Sequence, residues 1–218
     1  MEAYGAAKAQ LFQREELHFS VINFDDPFGR QLFEQLDGKC DRVRYSLHEA
    51  QTELWLREFR PTDEGFEAEV DGEWGRFVVS VPLMGSFNAS NVLAAMATVL
   101  TLGVPIERVQ QAVGRLTPPP GRLERFVGAN GVRVVVDYAH TPDALANALT
   151  ALRPHVTGEL AFPSPLLLSR LSPLPPLFPL LFSSFSSLPL FFPLLPLPFP
   201  FSLLSSPPLL LLSFFFPP

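Results

Sequence analysis

The segment Val134-Val-Val-Asp-Tyr-Ala-His-Thr-Pro-Asp-Ala-Leu145 combines groups that could bind a ligand with the start of a helix. Three β-branched residues lead into Asp137, and a short turn containing His140 precedes the helix. Thr141 can cap that helix, the proline after it suits the first turn, and Asp143 complements the positive end of the helix dipole. In α/β proteins, small ligands bind where a strand ends in a carboxylate and leads into a helix. A purely structural connection explains the same residues equally well, because such junctions are common in these folds.

A second candidate site is Gly85-Ser-Phe-Asn-Ala-Ser-Asn91, which opens a long apolar helix that extends to Leu102 and closes with Gly103. Asn88 and Asn91 are three residues apart, so both side chains should project from one side of the helix start. Capping accounts for one asparagine. Two asparagines behind a glycine suggest amide groups offered to a ligand, and a structural role for both is the alternative.

Residues 1–160 have the composition of an acidic soluble domain. They contain all 22 Asp and Glu and all but one of the 16 Lys and Arg, and the whole chain has a formal net charge of −6. This balance argues against a general nucleic-acid binder, which usually has a basic face. Cys40 is the only cysteine, which excludes an intrachain disulfide and a thiolate metal cluster. The first residues do not resemble a signal peptide, so we expect a cytoplasmic protein with no membrane association.

Residues 161–218 differ sharply from the rest, because 56 of these 58 residues are Leu, Pro, Phe or Ser. Their 15 prolines would interrupt any membrane-spanning helix. All four residue types can be encoded by codons whose first two bases are pyrimidines. We therefore predict that this tail is the translation of a pyrimidine-rich tract, through a frameshift, intron read-through or sequencing error. If it is expressed, we expect it to be disordered and prone to aggregate.

The hydrophobic pattern before residue 117 predicts an α/β domain. A β-α-β order favours a parallel sheet, and it is formed by a strand over 18–23, a turn over 25–29, a helix over 30–36 and a strand over 41–46. A short helix over 2–13 precedes it. Apolar and polar residues alternate over 53–60 and 66–81, which predicts antiparallel strands with a turn at Asp71-Gly72. We expect this hairpin at the edge of the sheet or as an appendage. The asparagine-bearing helix and a helix over 106–113 follow.

The segment Thr117-Pro-Pro-Pro-Gly121 interrupts all regular structure and is the predicted domain boundary. Beyond it, strands over 121–126 and 133–136 and a helix over 142–152 begin a second α/β domain. Those few elements cannot close a core by themselves. The predicted domains are therefore residues 1–116, residues 117–160 and the tail of residues 161–218.

Four short segments occur in an order that resembles the Mur ligases, the ATP-dependent amide-forming enzymes of peptidoglycan synthesis. They are Tyr4-Gly-Ala-Ala-Lys8, Gly85-Ser-Phe-Asn-Ala-Ser-Asn91, Gly121-Arg-Leu-Glu124 and Asp137-Tyr-Ala-His-Thr-Pro-Asp143, supported by Val21-Ile-Asn-Phe-Asp-Asp26. The fourth is similar to the form in MurE-type members, which add the third peptide residue to UDP-N-acetylmuramoyl-L-alanyl-D-glutamate. The resemblance covers about residues 1–160. It implies part of a central ATP-binding domain followed by the start of a Rossmann-like C-terminal domain.

The resemblance implies that ATP phosphorylates a substrate carboxylate and that an amine then attacks the acyl phosphate. It implies ATP and Mg²⁺ as cofactors, and a UDP-N-acetylmuramoyl-dipeptide and an amino acid as substrates. Lys8 matches a lysine that is carbamylated and helps to bind Mg²⁺. Arg122 matches a hinge arginine, a role that suits an always-charged guanidinium. Asp137 matches an acid near the ATP ribose or the metal, whereas Asp25 and Asp26 are interpreted chiefly as turn-forming residues. The implied ATP contacts are Asn88, Asn91, Arg122, Asp137 and His140.

The chain also departs from the family pattern. It contains no Gly-x-x-x-x-Gly-Lys-[Ser/Thr] phosphate loop. The uridine-nucleotide domain, the histidine before the Lys8 helix and the segment that selects the incoming amino acid are not found either. We therefore expect a gene fragment whose polypeptide has no ligase or ATPase activity, and the sequence leaves diaminopimelate and lysine equally open as the added residue.

Two alternatives remain open at this point. One is another amide ligase of the wider superfamily, similar to cyanophycin synthetase or folylpolyglutamate synthetase, which shares the order of segments but differs around Asp137-Tyr-Ala-His140. The other is a non-catalytic binding or scaffold fragment that keeps the fold without the chemistry.

Overall fold

The computed structural model describes residues 2–129, 131–158, 160–161 and 209–213. The chain forms two compact units. One comprises the described residues up to Glu124 together with Val136–Thr157 and Ser213. The other comprises Arg125–Val135 and the described residues from Gly158 to Leu212. The predictions on the rest of the tail lie outside the described residues.

The first sheet has five strands in sequence order, flanked by four helices. Its strands are β1 (Phe19–Asn23), β2 (Asp41–Ser46), β3 (Leu54–Pro61), β4 (Phe66–Gly72) and β5 (Phe77–Val81). Its helices are α1 (Glu2–Ala9), α2 (Pro27–Gln35), α3 (Ser86–Thr101) and α4 (Ile106–Val113), with a 3-10 turn over Gln10–Gln13.

The sheet is mixed. β1, β2 and β3 run parallel, although β2 and β3 share only two residue pairs in their register. β3, β4 and β5 run antiparallel. The predicted α/β class and the predicted antiparallel edge are thus confirmed, and the predicted parallel sheet accounts for the β1–β3 half.

Helix α2 begins at Pro27, three residues earlier than predicted. The Asp26 carboxylate accepts a hydrogen bond from the Phe28 N–H at 3.1 Å and caps the helix, and Pro27 occupies its first turn. Gly29, which the sequence suggested as part of a turn, lies inside the helix. A Cβ there would be 2.0 Å from the carbonyl oxygen of Asn23, so the glycine allows α2 to pack directly on β1.

The turn between β4 and β5 lies slightly later than predicted. Asp71 and Gly72 are the last residues of β4, and the turn closes through a hydrogen bond from the Gly75 N–H to the Gly72 carbonyl. Gly72 has a φ of +155° and a Cβ there would be 2.1 Å from the Glu53 carbonyl oxygen. Gly72 therefore ends the strand at the point where the backbone at Glu53 passes close to it.

The core lies between this sheet and helices α3 and α4. Alternate residues of β4 and β5 face it, as the period of two requires. Helix α3 contributes residues at helical spacing from one broad face. The buried core residues of these three elements are Phe66, Ala68, Val70, Phe77, Val79, Val81, Ala89, Val92, Leu93, Met96, Ala97 and Leu100.

A second sheet has the strand order β6-β7-β9-β8. Its strands are β6 (Glu124–Val127), β7 (Arg133–Asp137), β8 (Leu160–Ala161) and β9 (Leu209–Ser213), with β9 parallel to β8. Helix α5 (Pro142–Leu152) follows β7 and leads into a 3-10 turn over Arg153–His155. In the described part of the chain, no helix has the length and apolar character needed to cross a membrane.

Candidate functional site

Asp137 is the last residue of β7 and lies almost completely buried. Its carboxylate accepts one hydrogen bond from the Ala139 N–H at 2.9 Å and another from the Leu123 N–H at 3.0 Å. The first bond shapes the turn before α5, and the second holds a segment 14 residues earlier in the chain. The carboxylate therefore fastens the Gly121–Glu124 segment to the turn that carries Tyr138 and His140.

The Gly121–Glu124 segment has an unusual backbone. Leu123 has a φ of +46°, in the left-handed region that non-glycine residues rarely adopt, and its side chain is buried. Such a conformation persists only where the surroundings impose it. The bond to Asp137 and the burial of the Leu123 side chain do so here. A further bond from the Gly121 N–H to the Glu124 carboxylate, at 2.8 Å, closes the segment on itself.

Arg122 and His140 both lie against Tyr138, a residue that is 46% exposed. The Arg122 guanidinium is 5.3 Å from the ring centroid, and the His140 ring meets it edge-on at 5.2 Å between centroids. The His140 Nδ1 lies 3.0 Å from the Tyr138 carbonyl oxygen, which can only accept, so this nitrogen donates. The cluster offers a fixed cation and an exposed aromatic face, the groups that suit a phosphate and a flat ring.

The two asparagines lie together at the start of α3. The Asn88 amide donates to the Met84 carbonyl at 2.8 Å, and the Asn91 amide donates to the Asn88 side-chain oxygen at 3.4 Å. Both amides therefore lie on one side of the helix, as their spacing predicts. Gly85, the N-cap residue, has a φ of +88° and no side chain with which to cap. Asn88 and Asn91 remain accessible, at least in part, from solvent.

His155 is a buried polar residue that the sequence analysis did not single out. Its Nε2 accepts from the Gly85 N–H at 3.0 Å, and its Nδ1 lies 2.9 Å from the Thr62 carbonyl oxygen. A backbone N–H can only donate and a carbonyl can only accept, so both partners require the neutral tautomer with its proton on Nδ1. His155 is a single histidine just after a helix, and no motif in the neighbouring sequence indicates its role.

The structure brings some of the predicted site residues together and separates others. Arg122, Asp137 and His140 form one cluster, which leads into the N-terminal end of α5. The α3 start that carries the asparagines meets the other end of α5, because a Cβ on Gly85 would lie 2.9 Å from the Ala151 Cβ. Lys8 is exposed on α1, a separate element.

Asp25 and Asp26 have structural partners, as the sequence suggested. The Asp25 carboxylate accepts from the Ser46 hydroxyl at 2.5 Å and from the Leu47 N–H at 2.7 Å, which ties the end of β1 to the end of β2. Asp26 caps α2. Neither aspartate needs a ligand to account for its position.

The residues fit a nucleotide better than they fit a self-contained metal site. Mg²⁺ prefers oxygen ligands and usually keeps several waters or phosphate oxygens. Within the described residues, no group of three or more His, Cys, Asp or Glu side chains is placed to hold a metal ion. A magnesium ion at this cluster would depend on oxygens from a bound nucleotide and from water.

Comparison with known proteins assigns both parts of the chain to one family. Residues 1–99 match the Mur ligase middle domain, and residues 121–162 match the Mur ligase, glutamate ligase domain. The UDP-N-acetylmuramoyl-L-alanyl-D-glutamate–2,6-diaminopimelate ligase of Pseudomonas aeruginosa is 45% identical over 161 residues, which are 73% of this chain and 33% of the relative. The chain thus spans about a third of the length of the curated relatives it matches.

Solved structures agree with this assignment. A structure of a UDP-N-acetylmuramoyl-L-alanyl-D-glutamate–2,6-diaminopimelate ligase superimposes with a TM-score of 0.65 at 32% identity, covering 74% of this chain and 34% of that one. The Mycobacterium tuberculosis folylpolyglutamate synthase, solved with ADP and AMPPCP, superimposes with a TM-score of 0.60 at 21% identity over 73% of this chain and 36% of that one. The second likeness shows a shared fold alone. The chain belongs to the Mur ligase family, and it contains segments that match both the middle domain and the glutamate ligase domain of that family.

Proposed function

We propose that this chain is part of an ATP-dependent ligase that joins diaminopimelate to UDP-N-acetylmuramoyl-L-alanyl-D-glutamate in the cytoplasm, during peptidoglycan synthesis. The identity of 45% with a relative of that name carries the proposal. The Asp137-Tyr-Ala-His-Thr-Pro-Asp143 segment supports the same subtype. The choice of diaminopimelate over lysine comes from the relatives' names, because the residues themselves leave it open.

The Arg122 cluster and the α3 start are proposed as the nucleotide contacts. Phosphoryl transfer to a carboxylate depends on cations at the phosphate oxygens and on exact positioning, more than on a protein nucleophile. Arg122 supplies such a cation, and its place over the Tyr138 ring limits its freedom. Asn88 and Asn91 supply neutral amides that can bind without adding charge.

Asp137 is proposed to act at the same nucleotide in two ways. Its two oxygens each accept one backbone N–H, and a carboxylate oxygen has a second lone pair. Those remaining lone pairs can accept ribose hydroxyl groups while the carboxylate holds the Leu123 backbone in place. His140, fixed by its bond to the Tyr138 carbonyl, would lie beside them.

Lys8 is proposed to carry the carbamate that helps to hold Mg²⁺. Carbamylation by CO₂, with the loss of two protons, converts the exposed Lys8 ammonium group into an anion with two oxygens, which is the ligand chemistry that Mg²⁺ prefers. The metal would supply charge neutralisation at the phosphates. The chain's own contribution is the carbamate on α1.

A chimaera tests the proposed function. Residues 1–158 of this chain would replace the matching segment of the Pseudomonas aeruginosa relative, which supplies the remainder of the enzyme. We expect ADP release that requires both UDP-N-acetylmuramoyl-L-alanyl-D-glutamate and diaminopimelate. Arg122→Ala should lower kcat/KM about 100-fold or more, whereas Arg108→Ala, an exposed arginine on α4, should leave it unchanged.

Other outcomes would contradict the proposal. A folded chimaera in which Arg122→Ala and Arg108→Ala give the same kcat/KM would refute the proposed role of Arg122. A folded chimaera with no ATP-dependent activity would favour a non-catalytic fragment.

A further inference from the structure

Three separate elements meet at the buried His155 imidazole. They are the β3–β4 turn through Thr62, the junction between β5 and α3 through Gly85, and the 3-10 turn after α5 that carries His155 itself. The histidine lies in the region that matches the glutamate ligase domain, and both of its partners lie in the region that matches the middle domain. A single side chain therefore links the two family regions within one compact unit.

Both backbone partners are themselves held firmly. Thr62 closes the β3–β4 turn, since its N–H donates to the Gly65 carbonyl at 2.8 Å and its hydroxyl accepts from the Gly65 N–H at 3.1 Å. Gly85 has a φ of +88° and lies against Ala151 of α5, with no room for a side chain between them. The imidazole thus bridges two rigid points, and it can do so only as the Nδ1–H tautomer.

We propose that His155 is a positioning residue that fixes the start of α3, and with it Asn88 and Asn91, relative to the end of α5. Gly85 is the N-cap of α3, and the Asn88 N–H donates to the Gly85 carbonyl at 3.1 Å. The imidazole therefore acts on the asparagines through Gly85. The inference rests on the proposed function for what the asparagines bind, and on geometry alone for the link itself.

Two substitutions separate the two hydrogen bonds of the imidazole. In His155→Asn, the amide nitrogen can replace Nδ1 as donor to Thr62, but Gly85 loses its acceptor. In His155→Gln, the longer side chain places an oxygen near the Nε2 position, so Gly85 keeps an acceptor. His48→Asn is the matched control, because His48 is exposed.

Amide hydrogen exchange and NMR on the chain of residues 1–218 measure the link without nucleotide. We expect the wild-type His155 to be the Nδ1–H tautomer. In His155→Asn, exchange of the Gly85 and Asn88 amides should accelerate about tenfold or more, the equivalent of one lost buried hydrogen bond. Exchange across β4 and β5 should be unchanged, and His155→Gln should restore most of the protection.

Several results would overturn the link. One is a wild-type His155 that is protonated on Nε2 or on both ring nitrogens. Another is an equal acceleration of hydrogen exchange at all amides in both variants, which would show that His155 stabilises the fold in general and has no specific effect on Gly85. Should neither variant fold, the wild-type tautomer still decides.

Binding of the ATP analogue AMPPCP to the chimaera with the Pseudomonas aeruginosa relative then tests the positioning role, because residues 1–218 contain no phosphate loop of their own. We expect its Kd to rise several-fold in His155→Asn and much less in His155→Gln, with His48→Asn at the wild-type value. Equal Kd values for all four chains would overturn the positioning role. If the chimaera with the wild-type histidine shows no binding, the asparagines position no nucleotide contact and the proposed function is contradicted, while the tautomer and exchange results still decide whether the link exists.

Discussion

At the scale of single residues, the Asp137 carboxylate combines a structural role with a proposed binding role. It receives the backbone N–H groups of Leu123 and Ala139, and it lies beside the exposed Tyr138 ring with its Arg122 guanidinium. A carboxylate suits this position because it can accept several hydrogen bonds at once. Asp137, the first residue of the family segment Asp137–Asp143, thus also fixes the backbone conformation at the start of that segment.

Asp137→Asn should destabilise the folded chain. Asparagine has one side-chain oxygen, so the N–H of Leu123 or Ala139 would face an amide NH₂ group in a buried place. We expect the free energy of unfolding in urea to fall by about 1–3 kcal/mol. Asp143→Asn, an exposed aspartate in the first turn of α5, should cost no more than about 1 kcal/mol. Equal losses from both variants would show that the two backbone bonds contribute nothing specific.

Gly85→Ala should destabilise the chain for two reasons that a control can separate. The φ of +88° is unfavourable for alanine, and the new Cβ would lie 2.9 Å from the Ala151 Cβ. Gly103, at the other end of α3, has a φ of +81° and open space around it. Measured by thermal unfolding, the free energy of unfolding should fall by about 1–2 kcal/mol in Gly103→Ala. The fall in Gly85→Ala should be larger than this by about 1–3 kcal/mol. Equal costs would mean that the close approach to α5 is absent.

At the scale of elements, an arginine–glutamate pair joins β2 to the loop before β3, where the strands share few residue pairs. The Glu53 carboxylate accepts from the Arg44 side chain and from the Arg44 backbone N–H, each at 2.6 Å. The Arg44 guanidinium also lies 5.2 Å from the Phe24 ring and 5.3 Å from the Phe33 ring, measured to the centroids. These contacts compensate for a short β2–β3 ladder.

The pair predicts a specific pH dependence of stability. Burial acts to raise the pKa of Glu53, but the hydrogen bonds and charge of Arg44 together outweigh it and hold this pKa below its ordinary 4.5. A lowered pKa stabilises the folded state above the unfolded pKa, and this stabilisation is lost as pH falls through the folded value. Glu53→Gln should therefore lower the free energy of unfolding by about 1–3 kcal/mol at pH 7.

Urea unfolding across pH checks this prediction. The difference between wild type and Glu53→Gln should shrink as the pH falls below 4.5, the ordinary pKa of the carboxyl. Glu58→Gln is the control, because Glu58 meets Arg60 at 3.6 Å with both side chains half exposed, and such pairs contribute little. A difference for Glu53→Gln that stays constant through the acid range would exclude the ion pair as its source.

At the scale of the whole molecule, the residues proposed to contact ATP are present without a phosphate loop in the 218 residues. We expect the polypeptide of residues 1–218 to release no ADP from ATP, because its sequence contains no Gly-x-x-x-x-Gly-Lys-[Ser/Thr] motif to cradle the β- and γ-phosphates. The chimaera with the Pseudomonas aeruginosa relative should do so in the same assay. ADP release by residues 1–218 that disappears in Lys8→Ala would contradict this prediction.

The sequence alone predicted the α/β class, the order of elements as far as α5 and the Thr141 cap of that helix, but not the Asp26 cap of α2. These predicted features follow from local patterns such as β-branched runs and the Thr141-Pro142 pair. The family assignment likewise rested on short contiguous segments such as Asp137-Tyr-Ala-His-Thr-Pro-Asp143. Helix α2 was placed three residues late because Gly29 suggests a turn, whereas tight packing on β1 requires a glycine inside the helix.

Only the tertiary structure decided which distant groups are joined. It paired the Asp137 carboxylate with the Leu123 N–H, and it gave Leu123 a φ of +46°. It also buried His155 between Gly85 and Thr62, 70 and 93 residues away in the chain. The physical reason is that local pattern determines helices and strands, whereas a buried polar side chain binds whichever backbone groups the packed elements leave without a partner. Those groups are known only once the elements have packed.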